Sequence, residues 1–179
     1  QFLIKTRLKD IERNFGIVVS KDWASGDDLD FFVSPYQKAP VIVMEDGRLT
    51  LKLMQFSLIP SWSKTQRLKF STHNARLDSL TTKPTWKKPL VSKRAVVPLS
   101  GFVEPIYSNT YAGNMVEFFR KDHDVLFAAA VCDSWVDKES GEVIESFAIV
   151  TSDPMAFVKT TGHDRSPVFL REDALEGWI

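Results

Sequence analysis

Pro40-Val41-Ile42-Val43-Met44-Glu45-Asp46-Gly47-Arg48-Leu49-Thr50-Leu51-Lys52-Leu53 is the stretch that decides the fold. Two apolar runs flank Glu45-Asp46-Gly47-Arg48, and Asp-Gly between such runs signals a β-hairpin. Outward from this hairpin, strand-like runs recur at 95–99, 102–107, 115–119, 125–132 and 146–151. Turn-rich pieces separate them, among them Ser108-Asn109, Asp122-His123-Asp124 and Glu139-Ser140-Gly141. Helical pieces are fewer. Residues 5–15 read as a short amphipathic helix, with Leu8, Ile11 and Phe15 on one face and Gly16 ending it. The turn after Thr72, residues 154–160 and residues 172–178 complete the set. Short strands at regular spacing with helices at the margins predict an α+β fold of mainly antiparallel strands. A partly closed barrel or a sandwich with a few peripheral helices fits this pattern, in one domain over 1–179.

A chain of 179 residues can bury roughly two-thirds of its unfolded surface in one core. Its 44% hydrophobic and 26% charged residues are ordinary for a soluble globular protein. The longest apolar stretch, 125–132, is strand-sized, so no membrane span is expected. Gln1-Phe2-Leu3-Ile4-Lys5 lacks the long apolar core of a signal peptide. A lone cysteine, Cys132, permits no internal disulfide, and a reducing cytoplasm is the default expectation. A monomer is the plain default. Zero net charge argues against coating nucleic acid through bulk charge. The distribution of charge is more telling. From Lys64 to Arg94 there are nine basic residues and one acidic one, Asp78, whereas fourteen acidic residues follow from Glu104 onward. A basic middle in a neutral chain suits either a solvated segment or a face for a phosphate backbone. Trp62, Trp86 and, more distantly, Trp23 flank this region, and aromatics beside Lys and Arg suit base stacking as well as core filling.

Three scattered segments hold the chemistry: Ser71-Thr72-His73-Asn74-Ala75-Arg76-Leu77-Asp78, Gly101-Phe102-Val103-Glu104-Pro105 and Gly162-His163-Asp164-Arg165-Ser166-Pro167. Asn74 and Arg76 alternate, so in an extended segment both point the same way, one offering a donor and an acceptor and the other a phosphate-matching fork. Glu104 interrupts an apolar strand. It is either exposed at an edge or buried with its pKa raised towards the range useful for proton transfer. His163, in a loop after Gly162, can switch charge near neutral pH. His73 adjoins the Asn motif, and His123 lies in a turn. The three histidines lack a metal-ligand spacing, so no metal and no cofactor is expected. Cys132 ends a buried-strand pattern and reads as a small core hydrophobe. No phosphate-binding glycine loop, dinucleotide fingerprint or Gly-x-Ser-x-Gly is present. A glycosidase pair built on Glu104 would need a second acid, which nothing in the sequence singles out.

Read together, these segments resemble the SRAP family, the SOS response-associated peptidase domain whose members shield abasic sites in single-stranded DNA by covalent attachment. Phe32-Val33-Ser34-Pro35 partly matches its Asn-Val-Ala-Pro, and Phe56-Ser57-Leu58-Ile59-Pro60-Ser61-Trp62 its Trp-Gly-x-x-Pro-x-Trp. Asn74-Ala75-Arg76 with Asp78 matches Asn-Ala-Arg-x-Glu. Val97-Pro98 with Gly101-Phe102-Val103-Glu104 matches Pro-x-x-Gly-Phe-x-Glu-Trp, and His163-x-Arg165-x-Pro167 matches His-x-Arg-Met-Pro.

The resemblance implies a catalytic cysteine at the processed N-terminus, whose amine and thiol condense with the aldehyde of an abasic site to give a thiazolidine. By the same resemblance Glu104 manages protons and His163 assists sugar ring opening or reversal. Asn74 orients the amine or the sugar. Arg76 and Arg165 hold phosphates, with Trp62 and His73 as further DNA contacts. The implied partner is single-stranded DNA carrying abasic sites, in the cytoplasm and on the nucleoid when DNA is bound. The chain opens Gln1-Phe2 where the family begins Met-Cys-x-Arg-Phe, so the cysteine is expected just upstream, and both ends are expected to be trimmed. Pro105, Phe32, Gln1 and Ser166 replace the family's Trp, Asn, Arg and Met, which touches DNA grip more than chemistry. Two other readings compete: a single-strand DNA-binding module without the nucleophile, and a peptidase that acts on its own leader.

Overall fold

The computed structural model describes residues 1–179 except 22, 24, 25, 109, 123 and 124 and the side chains of 14 and 15. Along the first half run β1 (Phe2–Arg7), α1 (Leu8–Phe15), β2 (Val18–Val19), β3 (Asp28–Val33), β4 (Lys38–Glu45), β5 (Arg48–Phe56) and β6 (Asn74–Arg76). Then come α2 (Pro84–Ser92), β7 (Arg94–Leu99), β8 (Gly101–Pro105), β9 (Met115–Phe119), β10 (Leu126–Val136) and β11 (Val143–Ser152). The chain closes with α3 (Ala156–Lys159), β12 (Ser166–Pro167), β13 (Phe169–Leu170) and α4 (Leu175–Trp178).

The hairpin stands where the sequence places it. Asp46 and Gly47 take φ angles of 49° and 74° between β4 and β5. Positive φ at both central residues marks a type I′ turn, whose twist matches that of the paired strands. From this pair the larger sheet runs β5-β4-β7-β10-β11, and β11 returns to pair with β5, closing a barrel. A smaller sheet, ordered β3-β1-β8-β9, lies beside it. Ser100 joins the two, lying between the barrel strand β7 and β8. Its N–H donates to Leu3 O at 2.8 Å, and its Oγ accepts from Lys5 N at 2.7 Å.

Burial follows the two-residue period of a strand. On β10, Ala128, Ala130 and Cys132 enter one core cluster, while Ala129 and Val131 enter another. On β11, Phe147 and Ile149 face the first, and Ala148 and Val150 the second. Both faces of these strands are covered, which is why 125–132 is apolar without alternation. Trp86 fills the second cluster as a core residue.

The structure departs from the sequence expectation at several places. Lys5–Arg7 is strand: β1 pairs with β3 and β8, and α1 starts only at Leu8. Gly16 does end α1, in the left-handed region and donating to Glu12 O at 3.0 Å. The turn after Thr72 is not helical but opens β6, followed by a 3-10 turn at Leu77–Ser79. The last helical piece is a 3-10 turn, Glu172–Ala174, leading into α4. Pairing is not wholly antiparallel, because β11 runs parallel to β5 and to β6, and β2 runs parallel to β5. The turn expectations at Asn109 and His123, and the placement of Phe15 on the helix face, lie outside the described residues.

Ser57 carries strain. It follows β5 with φ at 96°, and its buried Oγ has no hydrogen-bond partner among the described residues. The resembling family pattern has Gly here. Glycine accepts this backbone freely and removes the unpaired hydroxyl, against the extra freedom it gives the unfolded chain. Ser57→Gly is therefore expected to stabilise by about 1 kcal/mol and raise the thermal midpoint by roughly 3 °C. A lower midpoint in a melting experiment contradicts this.

Candidate active site

A cavity of about 310 Å³ opens where the barrel meets the smaller sheet, and three distant pieces of chain supply its walls. Phe56 sets its floor. That ring lies 5.1 Å edge-on from Phe2, 5.3 Å stacked from Phe147 and 5.8 Å from the ring of His73. Parallel pairing of β6 with β11 sets Asn74 opposite Ile149 and Arg76 opposite Thr151. Ala75 turns into the core, while Asn74 and Arg76 are both exposed. Asn74 lines the cavity; Arg76 does not.

Glu104 arrives from β8. On one side β9 pairs with it, setting Val116 opposite Glu104, and on the other β1 reaches only as far as Gln1, whose O accepts from Val103 N; the Glu104 side chain is 25% exposed on the cavity wall. Its Oε2 lies 3.3 Å from His163 Nε2. That approach misses hydrogen-bond angles, so Nε2 is buried without a hydrogen-bond partner among the described residues. Loose geometry of this kind is common in ligand-free sites and tightens when a substrate arrives. Beside Glu104, the amino group of Gln1 donates to Val103 O at 3.3 Å. Burial lowers the pKa of this amine, and the charge of Glu104 works in the opposite sense. Burial pushes the pKa of His73 down as well, which favours its neutral ring. Its Nδ1 lies 2.7 Å from Ser71 Oγ.

The His163 loop is held from outside. Tyr107 N and Ser108 N both donate to Thr161 O, at 2.8 and 3.3 Å, and the Tyr107 ring lies 4.9 Å from that of His163. Gly162 makes the loop possible with φ at 82°, and a Cβ there would come within 3.0 Å of Ser108 Oγ. Gly162→Ala is therefore expected to combine backbone strain with a push on the segment that positions His163. The expected cost is about 1–2 kcal/mol of stability. Chemical denaturation checks it, and an unchanged midpoint would count against the account.

Arg165 lines the cavity with Nη1 3.6 Å from Asp153 and Nη2 3.8 Å from Asp78. Asp78 also holds Arg76 at 2.7 Å, so one carboxylate stands between the two guanidiniums. Arg165 Nε, Thr151 Oγ1 and His163 Nε2 are buried without hydrogen-bond partners among the described residues, and all three residues line the cavity. Such a set of unspent donors is matched to a polar guest.

Five of the residues singled out from sequence thus line one cavity: His73, Asn74, Glu104, His163 and Arg165. Trp62 and Arg76 stand outside its lining. Trp62 is 55% exposed, on a turn fixed by Ser61 N donating to Asp133 Oδ2 at 2.7 Å and Trp135 Nε1 donating to Ser63 O at 2.8 Å. Of the nine basic residues from Lys64 to Arg94, seven are exposed, whereas Lys93 and Arg94 bind Asp133 and the Trp178 carbonyl. Cys132 is buried, and burial pushes its thiol pKa up to about 12, far from a nucleophile's range. Sequence reasoning missed Thr151, whose only signal is a hydroxyl at the end of an apolar strand. It noted Ser166 only as a substitution, yet the side chain is buried and its Oγ accepts from Met155 N at 2.9 Å.

Comparison with known proteins places the fold and the family. Among solved structures, a protein from Bacteroides thetaiotaomicron superposes with a TM-score of 0.76 at 23% identity, covering 99% of this chain and 79% of that one. A phage-related protein from Bordetella bronchiseptica gives 0.72 at 21% identity, covering 99% and 80%. These show the shared fold. Among curated proteins, the abasic site processing protein YoaM of Bacillus subtilis is 29% identical over 147 residues, 82% of this chain and 64% of YoaM. The abasic site processing protein HMCES of Gallus gallus is 27% identical over 149 residues, 70% of this chain and 44% of its own length. The chain thus spans less than two thirds of either relative. The description that matches the whole sequence, residues 1–179, is SOS response associated peptidase, and the chain belongs to that family, SRAP.

Proposed function

We propose that the chain captures abasic sites in single-stranded DNA covalently, through the amine and thiol of a cysteine placed before Gln1. The observation that carries this reading is the β1–β8 register. Phe2 stands opposite Phe102 and Leu3 opposite Gly101, so continuing β1 beyond Gln1 in the pattern Cys-x-Arg-Phe sets the x across from Glu104 and the cysteine one place further, at the end of the strand that carries Glu104. The names of the relatives, abasic site processing proteins, support the substrate class.

The chemistry needs four events. The sugar hemiacetal opens to an aldehyde, with His163 moving the ring-oxygen proton. The amine adds to the carbonyl carbon, and Glu104 carries one nitrogen proton to the oxygen, giving the carbinolamine. Glu104 then carries the second nitrogen proton to that hydroxyl, which leaves as water and gives the imine. Finally the thiolate adds to the imine carbon while the nitrogen regains a proton, closing the thiazolidine. Asn74 orients the sugar or the amine, and Arg165 and Arg76 hold flanking phosphates. Trp62 and His73 add base contacts, and the damaged strand must be single to let its sugar reach a chain terminus. The same position beside Glu104 suits hydrolysis of the bond that precedes the cysteine, which is the peptidase reading of the site.

The test is a denaturing gel of the natural full-length protein with single-stranded DNA that carries one abasic site. A shifted band that survives denaturation and vanishes when the N-terminus is blocked is the expected result. Binding without any covalent band, once the natural terminus has been sequenced, leaves the non-catalytic DNA-binding module as the better account.

A further inference from the structure

Next to the cavity stands a residue that the fold itself does not ask for. Ser34-Pro35-Tyr36-Gln37 forms a tight turn in which Gln37 N donates to Ser34 O at 3.2 Å. Proline at the second place and positive φ at the third are the marks of a type II turn, where the third residue is ordinarily Gly or Asn. Here it is tyrosine, with φ at 73°. A bulky side chain in this region is a strained outlier, and such strain gathers at ligand clamps. The turn is pinned so that it cannot relax. Tyr36 N donates to Phe56 O at 2.7 Å, Phe56 N to Gln37 O at 2.8 Å, and Ser34 N to Gln37 Oε1 at 2.7 Å.

The strained ring is not used for packing. Tyr36 is 47% exposed, and the guanidinium of Arg67 lies over its face, 5.0 Å from the centroid. Pro35, the residue before it, lines the cavity. Arg67 comes from the exposed basic segment between Trp62 and His73, and His73 lines the cavity too. A ring thus carries a guanidinium above it, one residue along the chain from the cavity lining at Pro35.

We infer that Tyr36 and Arg67 form a stacking platform for the nucleotide next to the abasic one. The base lies on the outer face of the guanidinium plane, and Tyr36 backs that plane from beneath. The pair is preorganised, so little freedom is lost when the base docks, and stacking on a flat cation tolerates any base. Lysine in place of Arg67 would keep the charge and lose the plane. This inference rests on reading the cavity as a site for abasic DNA.

The experiment uses the natural full-length protein and a fluorescent single-stranded oligonucleotide with a tetrahydrofuran abasic analogue, which has no aldehyde and cannot crosslink. Affinity is read by anisotropy and folding by thermal melting. Tyr36→Gly removes the ring and relieves the turn, so affinity is expected to fall about tenfold while the melting midpoint holds or rises. Arg67→Lys is expected to lose about as much, and Tyr36→Phe to bind within about twofold of the original. Tyr36→Gly and Arg67→Lys both binding like the original protein would overturn the platform and leave the catalytic reading untouched. Failure of the unaltered protein to bind the oligonucleotide would overturn both.

Discussion

Glu104→Gln is expected to slow covalent capture of an abasic site by about a hundredfold in single-turnover experiments with the natural full-length protein. The glutamine keeps the size and shape of the side chain, but it neither accepts a proton from the attacking amine nor returns one to the departing hydroxyl. Positioned proton transfer contributes roughly 10²–10⁴-fold, and about a hundredfold is the low end of that range. The fold is expected to survive, because the backbone bonds of β8 do not involve this carboxylate: Val103 N donates to Gln1 O at 2.9 Å, and Glu104 sits in register with Val116 of β9. Affinity for undamaged single-stranded DNA is expected to change little. A capture rate within about threefold of the original would remove Glu104 from the proton path.

Asp133→Ala is expected to have the larger effect on stability, a loss of about 3 kcal/mol, with the melting midpoint down by roughly 9 °C. Asp133 lies on β10 with its side chain only 3% exposed. Its Oδ1 accepts from Lys93 Nζ and from Ser134 N, each at 2.9 Å, and its Oδ2 accepts from Ser61 N at 2.7 Å. Alanine would leave these donors unpaired and free the turn that carries Trp62, so weaker DNA binding is expected alongside. Burial by itself raises the Asp133 pKa, but the hydrogen bonds from Lys93 and Ser61 N outweigh it, and the folded value lies below the usual carboxylate range. A depressed folded pKa means that the stability is fully present above the unfolded value, ~3.9. It fades as pH falls through the folded value. Urea titrations of both proteins should therefore show a constant gap above about pH 5 that narrows below pH ~4. A gap that is the same at pH ~3 and pH ~7 would contradict the assignment.

Local pattern was legible in the sequence, and long-range closure was not. The Asp46-Gly47 hairpin, β9 and the doubly buried β10 follow from runs of a few residues, each with its own periodicity or turn chemistry. Residues 5–7 misled because an amphipathic helical pattern continues back from α1, yet pairing with β3, together with the Lys5 N–H donating to Ser100 Oγ, outweighs it. In β3, Asp28 and Asp30 hide the strand, and in α2 the internal Pro89 reads as a helix breaker. The parallel contact of β11 with β5, which closes the barrel, joins residues about ninety positions apart, and no local signal encodes it. Much the same holds for the cavity. Asn74, Glu104 and His163 could be named because each stands out among small or turn-forming neighbours. Their convergence, and the part of Thr151, Tyr36 and the register at Gln1, depend on how the two sheets meet.

The claim that most needs a direct measurement is the point of attachment. The natural full-length protein would be crosslinked to abasic single-stranded DNA, digested with protease and nuclease, and mapped by mass spectrometry. The account predicts the remnant of the sugar on the first residue of the peptide that contains Phe2. A remnant on a lysine of the exposed 64–88 segment would mean that ordinary amine chemistry on a basic surface, and not the cavity at Glu104, makes the bond.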